Sequence, residues 1–169
     1  MNSDTTQQPE ARVERRAGRL HSIQEVKDMA GRVVSHIETP LRVELMGEDV
    51  TQIVAGACVM AIPVALSEEV WTLGSELSNG RIMLIVLVTL LTLGFFVRSL
   101  FYPGKQLREY RAEFFKRVII AYLVTFIVAM VLLILIDKGP LDDFLLAVKR
   151  AVIITFPASF AATMVDYIK

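Results

Sequence analysis

The sequence has little cysteine and lacks the common catalytic and nucleotide-binding motifs. Cys58 is the only cysteine among 169 residues, which excludes a disulfide framework and a cysteine-based metal site. No P-loop, GxGxxG, HExxH or nucleophile elbow occurs, and each of these motifs has a recognisable residue pattern. We therefore predict no enzymatic activity and no resident cofactor.

An excess of either charge is also missing, since 18 basic residues balance 18 acidic ones. This balance gives no indication of a nucleic-acid partner, for which a basic excess is typical. Residues 1–19 contain no apolar core, so they do not form a signal peptide. Their polar composition predicts a disordered tail.

Residues 20–37 place apolar side chains three and four positions apart. This spacing predicts an amphipathic helix on the cytoplasmic side, followed by a connector up to residue 49. His21 and His36 fall within this predicted helix without a second set of ligands, so no metal site is expected there. The apolar positions are Leu20, Ile23, Val26, Met29, Val33 and Ile37.

Long apolar runs dominate the rest of the chain. Hydrophobic residues make up 54% of the sequence, and a membrane-spanning helix needs about 20 mainly apolar residues. The second and third runs lack the polar face that a helix of a soluble bundle would show. We therefore predict an all-α membrane domain over 50–169, with four transmembrane helices at about 50–70, 82–101, 117–136 and 148–167.

The charges of the predicted loops indicate the orientation. The loop between the second and third spans carries six basic and two acidic residues, whereas the first loop has Arg81 against three glutamates. Basic loops stay in the cytoplasm. We therefore expect a multi-pass protein of the prokaryotic inner membrane with both termini cytoplasmic and with Glu68 and Glu69 towards the outside.

Glu68 and Glu69 fall in the last turn of the predicted first span, and Trp71 follows Glu68 by three positions. In a symmetric homo-oligomer either glutamate would form a ring of carboxylates, and such rings select ions in cation pores. Ca²⁺ prefers oxygen ligands, so both glutamates are candidate metal ligands. Trp71 would lie beside the ring. The alternative is a solvated helix end just outside the membrane.

Further candidates lie along the first and last spans. Ala61 and Ala65 are small enough to line a close-packed pore, although packing within one subunit explains them equally well. Pro63 and Pro157 each free a backbone carbonyl, which gives either a pathway ligand or a simple kink. Asp166 ends the last span, either at an inner pore mouth or as a solvated helix end.

Two motifs carry a resemblance to a known family. The run GACVMAIPVALSEEVWTLG contains an acid, one residue and a tryptophan at Glu69, Val70 and Trp71, and an aromatic residue precedes Pro-Ala-Ser at 156–159. Over residues 43–169 the chain resembles DUF2391, a family of small prokaryotic integral membrane proteins. It departs from the family pattern at Glu68, where an apolar residue is expected.

The resemblance implies membrane topology and, through similar proteins, a calcium-permeable channel. The glutamate and tryptophan also resemble the acidic filter of the mitochondrial calcium uniporter. We therefore predict a homo-oligomeric cation channel that passes Ca²⁺, with the lipid bilayer and its own copies as partners. The alternatives are a proton-coupled secondary transporter using the same carboxylates, and a non-transporting scaffold that binds a partner through residues 1–49.

Overall fold

The structure is a computed structural model. The chain divides into two units, Met1–Glu44 and Leu45–Lys169, and each is described by itself. The described residues are 12–16, 19–27, 33–40, 45, 47–102, 110–138 and 143–168.

The first unit contains an antiparallel sheet of three strands in the order β1-β2-β3. They are β1 (Arg12–Arg16), β2 (Arg19–Lys27) and β3 (Val33–Pro40). The amphipathic helix predicted for residues 20–37 is therefore wrong. Apolar spacings of three and four do not separate a helix from two short strands, and β3 is rich in β-branched residues, which favour strands.

The predicted disordered tail is also shorter than residues 1–19, because β1 lies within it. The remainder of that prediction, at residues 1–11 and 17–18, lies outside the described residues. Met29, which was assigned to the predicted helix, lies outside them as well.

The second unit is helical, and four of its helices are long and apolar enough to cross a membrane. The prediction of four spans is confirmed. Seven of the eight bounds differ from those expected: every span begins three to six residues earlier, the first ends five residues earlier, the third ends one residue earlier and the last ends one residue later. The helices are α1 (Gly47–Ala65), α2 (Glu68–Glu76), α3 (Asn79–Phe101), α4 (Arg111–Leu135) and α5 (Phe144–Ile168).

Helix α1 packs most extensively against α5. At Gly56 the two backbones are so close that a Cβ atom would lie 2.8 Å from the Ala161 carbonyl oxygen and from Ala162 Cα. The outward face of α4 instead exposes an aliphatic side chain at every fourth position. Such a face suits contact with lipid. The residues are Ile119, Leu123, Ile127 and Val131.

The first span ends at Ala65, five residues before the predicted end, because the chain turns at Ser67. Ser67 has extended backbone angles (φ −81°, ψ 134°), and its hydroxyl donates a hydrogen bond to the Val64 carbonyl oxygen (3.0 Å). Glu68 and Glu69 therefore open α2 rather than close α1. A serine followed by two acids is typical of a helix start, so the sequence contained this signal.

Helix α4 ends in a Schellman motif. The Lys138 amide donates to the Leu133 carbonyl (2.9 Å), and the Asp137 amide donates to that of Ile134 (3.1 Å). Asp137 takes the left-handed conformation that this motif requires (φ 55°). The turn fixes the position of Lys138, which contacts α2.

Candidate functional site

Glu68 and Glu69 lie at one end of the helical bundle, which we call the α2 end: the last turn of α1, all of α2, residues 135–138 and the first turns of α5. Both glutamates are exposed in the first turn of α2. Negative charge is favourable at a helix N-terminus. Neither carboxylate is paired with a residue that the structure describes.

Trp71 anchors α2 to the end of α1. Its indole N–H donates to the Ala65 carbonyl oxygen at 2.8 Å, which satisfies a carbonyl left open where α1 ends. The Lys138 ammonium lies 4.2 Å from the centre of the Trp71 ring, close enough for a cation–π interaction. The indole N–H is therefore engaged by the backbone and not by a glutamate carboxylate.

Two basic residues of α5 fix α2 from the other side. Arg150 donates to the carbonyl oxygens of Lys138 (2.7 Å) and Trp71 (3.3 Å), and Lys149 donates to that of Leu77 (2.9 Å). Cations near the last turn of a helix are favourable for its dipole. Sequence reasoning missed both residues, although a basic pair beside an apolar run was a visible signal.

Gly74 is required where Arg150 crosses α2. A Cβ atom at this position would lie 2.5 Å from Arg150 Cγ. The glycine therefore lets the arginine reach the backbone of α2, and these contacts hold Glu68 and Glu69 on a fixed support.

The predicted pore-lining alanines are in the interior of the chain. Ala61 and Ala65 belong to a buried cluster shared by α1, α2, α4 and α5, which matches the alternative of packing within one subunit. Pro63 is exposed and Pro157 is half-buried. The exposed side of α1 carries the apolar residues Val54, Val59, Met60 and Ile62.

Asp166 lies at the opposite end of the bundle in a buried charge cluster with Asp49 and Arg117. Arg117 Nη2 is 3.1 Å from Asp49 Oδ2, and Nη1 is 3.4 Å from Asp166 Oδ2. Asp49 exposes only 9% of its surface, Arg117 2% and Asp166 5%. The solvated helix end considered for Asp166 is therefore wrong, and the cluster joins α1, α4 and α5.

Aromatic residues cover this cluster. The Arg117 guanidinium carbon lies 3.9 Å from the centre of the Phe101 ring, and Phe101 packs edge-to-face on Tyr167. Tyr102, just beyond α3, is fully buried, and this burial raises the pKa of Tyr102 to about 12. From the sequence, Arg117 marks the boundary between the basic loop and the predicted third span, but α4 begins six residues before it.

A row of buried hydroxyl groups runs along α5 towards Asp166. Thr155, Ser159 and Thr163 are each at most 1% exposed, and their spacing of four residues places them on one side of the helix. Each hydroxyl donates to a carbonyl of its own helix.

Among residues whose side chains the structure describes, no group of three histidine, cysteine, aspartate or glutamate residues could hold a metal ion. Glu68 and Glu69 therefore offer two carboxylates in each chain.

Comparison with known proteins establishes the class of protein. The family model named "Putative integral membrane protein (DUF2391)" matches residues 14–165. The chain belongs to the DUF2391 family. The resemblance drawn from the Glu–Val–Trp and Phe–Pro–Ala–Ser motifs is thereby confirmed, and the four long helices of this DUF2391 protein are those of an integral membrane protein. No curated protein and no solved structure matches the chain.

Proposed function

We propose that this DUF2391 protein is a homo-oligomeric cation channel that passes Ca²⁺ across the prokaryotic cell membrane, with both termini in the cytoplasm. The observation that carries the proposal is the pair of exposed carboxylates, Glu68 and Glu69, on a helix fixed by Trp71 and Arg150. The proposal includes no enzymatic step and no resident cofactor.

The packing of the bundle supports a channel made from several copies. The space between α1, α4 and α5 is filled by alanine, leucine and isoleucine side chains, which include Ala61, Leu133 and Ile154. A cation would therefore pass between copies of the chain. Cyclic symmetry is the usual arrangement of such assemblies, and it would repeat the glutamates of each copy around one axis.

The anchoring of α2 supports selectivity. A ring of carboxylates favours cations only if its oxygens stay at the distances that replace the water around the ion. Trp71 and Arg150 attach the backbone of α2 to α1, to the end of α4 and to α5. In this proposal Trp71 is a positioning residue, and the carboxylates meet the ion.

The test is uptake of radioactive Ca²⁺ into liposomes that contain the purified protein. We expect gradient-driven uptake by the native protein and at least about a tenfold loss in the double variant Glu68→Gln/Glu69→Gln, because the charge that attracts divalent ions is removed. Each single variant shows which glutamate contributes more. Glu76→Gln is the matched control, since Glu76 is exposed in the last turn of the same helix.

Uptake in the double variant equal to that of native protein would overturn the proposal. An equal loss in Glu76→Gln would also count against it, because the effect would then be one of general surface charge. Native protein that is folded but gives no uptake would favour the scaffold alternative.

A second candidate, a proton-coupled carrier, is favoured by the buried cluster of Asp49, Arg117 and Asp166. Ionisable groups inside a membrane bundle are typical of proton relays, and the hydroxyl row of α5 leads to this cluster. This reading predicts uptake that requires a pH gradient and that is lost in Asp166→Asn. It also predicts that Glu68→Gln/Glu69→Gln leaves uptake unchanged, which separates the two functions.

A further inference from the structure

The outward face of α4 begins with basic residues and continues as an aliphatic stripe. Arg111, Phe115 and Lys116 are exposed in the first two turns, and the stripe runs from Ile119 to Val131 at every fourth position. Residues 118–135 carry no charge. At 1.5 Å per residue they extend about 27 Å, close to the hydrocarbon thickness of about 30 Å. Both basic residues therefore lie at the depth of the lipid headgroups.

The two cations flank the upper end of the aliphatic stripe. Each residue turns the helix by about 100°, so Arg111 lies about 80° to one side of Ile119 and Lys116 about 60° to the other. Ala112 lies between them, within about 20° of Ile119, and it is exposed. Its small side chain leaves space above the stripe for a headgroup. Arg111 and Lys116 are about 7.5 Å apart along the axis, a distance that their long side chains can bridge to one phosphate.

Neither cation has a strong partner in the part of the chain that the structure describes. Arg111 makes no ion pair there. Lys116 Nζ lies 3.8 Å from Glu113 Oε2, and the Lys116 side chain is 52% exposed. Exposed pairs of this kind contribute little. Arg117, the next residue, is instead buried against two carboxylates. The two exposed cations are therefore the ones that an external anion can reach.

We propose that Arg111, Ala112, Phe115, Lys116 and Ile119 form a binding surface for an anionic phospholipid. The headgroup phosphate lies between the two cations, and an acyl chain follows the aliphatic stripe. Basic residues next to a membrane span attract anionic headgroups, whereas a zwitterionic lipid has no net charge to offer them. This surface does not depend on the proposed channel, because Glu68 and Glu69 lie at the other end of the bundle.

The other end of the same helix provides an internal comparison. There the exposed apolar residues end at Ile134 and Leu135, and the next exposed charge is Asp137. The neighbouring cation, Lys138, lies over the Trp71 ring. An exposed acid repels an anionic headgroup. The outward face of α4 therefore favours negatively charged lipid at the Arg117 end alone.

Ordinary solvation of the basic residues is the competing explanation. Basic residues beside a span are common without any bound lipid. The two explanations differ in what they require of the ligand. Only a lipid site needs both the negative headgroup and the acyl chains, and only a lipid site retains the molecule in detergent.

The test is native mass spectrometry of the full chain in a non-ionic detergent. The protein is titrated with phosphatidylglycerol and, separately, with phosphatidylcholine of the same acyl chains. We expect tighter binding of one phosphatidylglycerol per chain. Arg111→Gln/Lys116→Gln should weaken this binding about tenfold or more, since each cation near an anionic lipid contributes about fivefold. Binding of phosphatidylcholine should stay unchanged.

Two controls separate this surface from general charge and from loss of the fold. Arg81→Gln removes an exposed arginine of α3 at the α2 end and should bind phosphatidylglycerol within about twofold of the native protein. The charge-conserving variant Arg111→Lys/Lys116→Arg should do the same. Glycerol phosphate has the charge without the acyl chains, so it should not compete at an equal concentration.

A second measurement examines the surface in a bilayer. Trp71 is the only tryptophan of the chain, so Trp71→Phe/Phe115→Trp places a single fluorophore at the proposed surface. Brominated phosphatidylglycerol should quench it more strongly than brominated phosphatidylcholine. Addition of Arg111→Gln/Lys116→Gln should remove that difference.

Several outcomes would overturn the proposal. They are equal quenching by the two lipids, full competition by glycerol phosphate, native binding in Arg111→Gln/Lys116→Gln, and an equal loss in Arg81→Gln. Failure of Ca²⁺ uptake with lipid binding intact would leave this inference standing and overturn only the channel.

Discussion

The two ends of the helical bundle use arginine in different ways. At the α2 end Arg150 donates to two neutral carbonyl oxygens, and the glutamates nearby are exposed. At the opposite end Arg117 is buried between two carboxylates. Removal of the Arg150 side chain takes a hydrogen-bond donor away from two carbonyl oxygens. Removal of the Arg117 side chain takes a cation away from two buried carboxylates. The comparison teaches that one end holds α2 in place while the other holds three spans together.

The largest effect is expected for Arg117→Met. Removal of one partner from a buried ion pair typically costs about 3–5 kcal/mol. We expect a loss of this size in the free energy of unfolding, measured by titration with a denaturing detergent in mixed micelles. The triple variant Asp49→Asn/Arg117→Met/Asp166→Asn should lose less, because no charged member of the cluster remains.

Arg150→Met is the matched control at the α2 end. Buried carbonyls that lose a donor cost about 1–3 kcal/mol, so this variant should be the milder one. A cost equal to that of Arg117→Met would remove the distinction between the two ends.

Gly56→Ala tests how much the close packing of α1 on α5, between the two ends of the bundle, contributes to stability. The added methyl group would approach the Ala161 carbonyl oxygen and Ala162 Cα at 2.8 Å, and overpacking of this kind costs about 1–3 kcal/mol. Unfolding in mixed micelles again measures the loss. Gly47→Ala, with no atom within 4 Å of the added carbon, should be close to neutral. Equal stabilities of the two variants would show that the contact between α1 and α5 accommodates a methyl group at residue 56.

Trp71→Phe tests whether the indole hydrogen bond stabilises the α2 end. The phenyl ring keeps the apolar contact but loses the hydrogen bond to the Ala65 carbonyl, which is worth about 0.5–1.5 kcal/mol. The expected loss of stability is of that order. Thr72→Val is the control, since its exposed hydroxyl bonds only within α2. If stability and Ca²⁺ uptake are both unchanged in Trp71→Phe, the indole N–H does not position the glutamates.

The smallest effect appears only at high pH and only at the Arg117 end. Burial raises the pKa of Tyr102 from 10.0 to about 12, Arg117 opposes this shift, and Glu113 acts in the same direction as burial. The neutral phenol is thus favoured in the folded state. Its contribution to stability is complete below pH 10 and is lost as the pH rises through about 12.

The measurement for Tyr102 is the ultraviolet absorbance of phenolate in native protein minus that of Tyr102→Phe. The difference should titrate near pH 12. A midpoint near 10 would show that water reaches Tyr102, and the cover over the charge cluster would then be open.

The four spans were predictable because long uncharged apolar runs have few other stable structures. The break at Ser67 was also accessible, since the serine and two acids form a helix-start pattern. It was overlooked because the expected span length of about 20 residues extended the predicted first helix beyond Ser67. The position of Glu68 and Glu69 on their own helix follows from this break.

Other features depend on pairs that are far apart in sequence. Asp49 and Arg117 are 68 residues apart, and no local pattern connects them. The sheet was missed for a different reason, because Ile23, Val26 and Ile37 follow a helical spacing, whereas in the sheet Ile23 lies on the opposite face from Val26 and Ile37. Only the pairing of β2 with β3 decides between a helix and two strands.

The close packing of α1 on α5 has a consequence for how the chain is made. The ribosome delivers α1 long before α5, yet α5 supplies Asp166 to one end and Arg150 to the other. Neither end can be completed until residues 144–168 enter the membrane. During synthesis the first span must therefore wait beside the translocation machinery or in lipid without its α5 contact, and Arg117 then meets Asp49 before it meets Asp166. A nascent chain that stops short of α5 would be a natural target for membrane proteases.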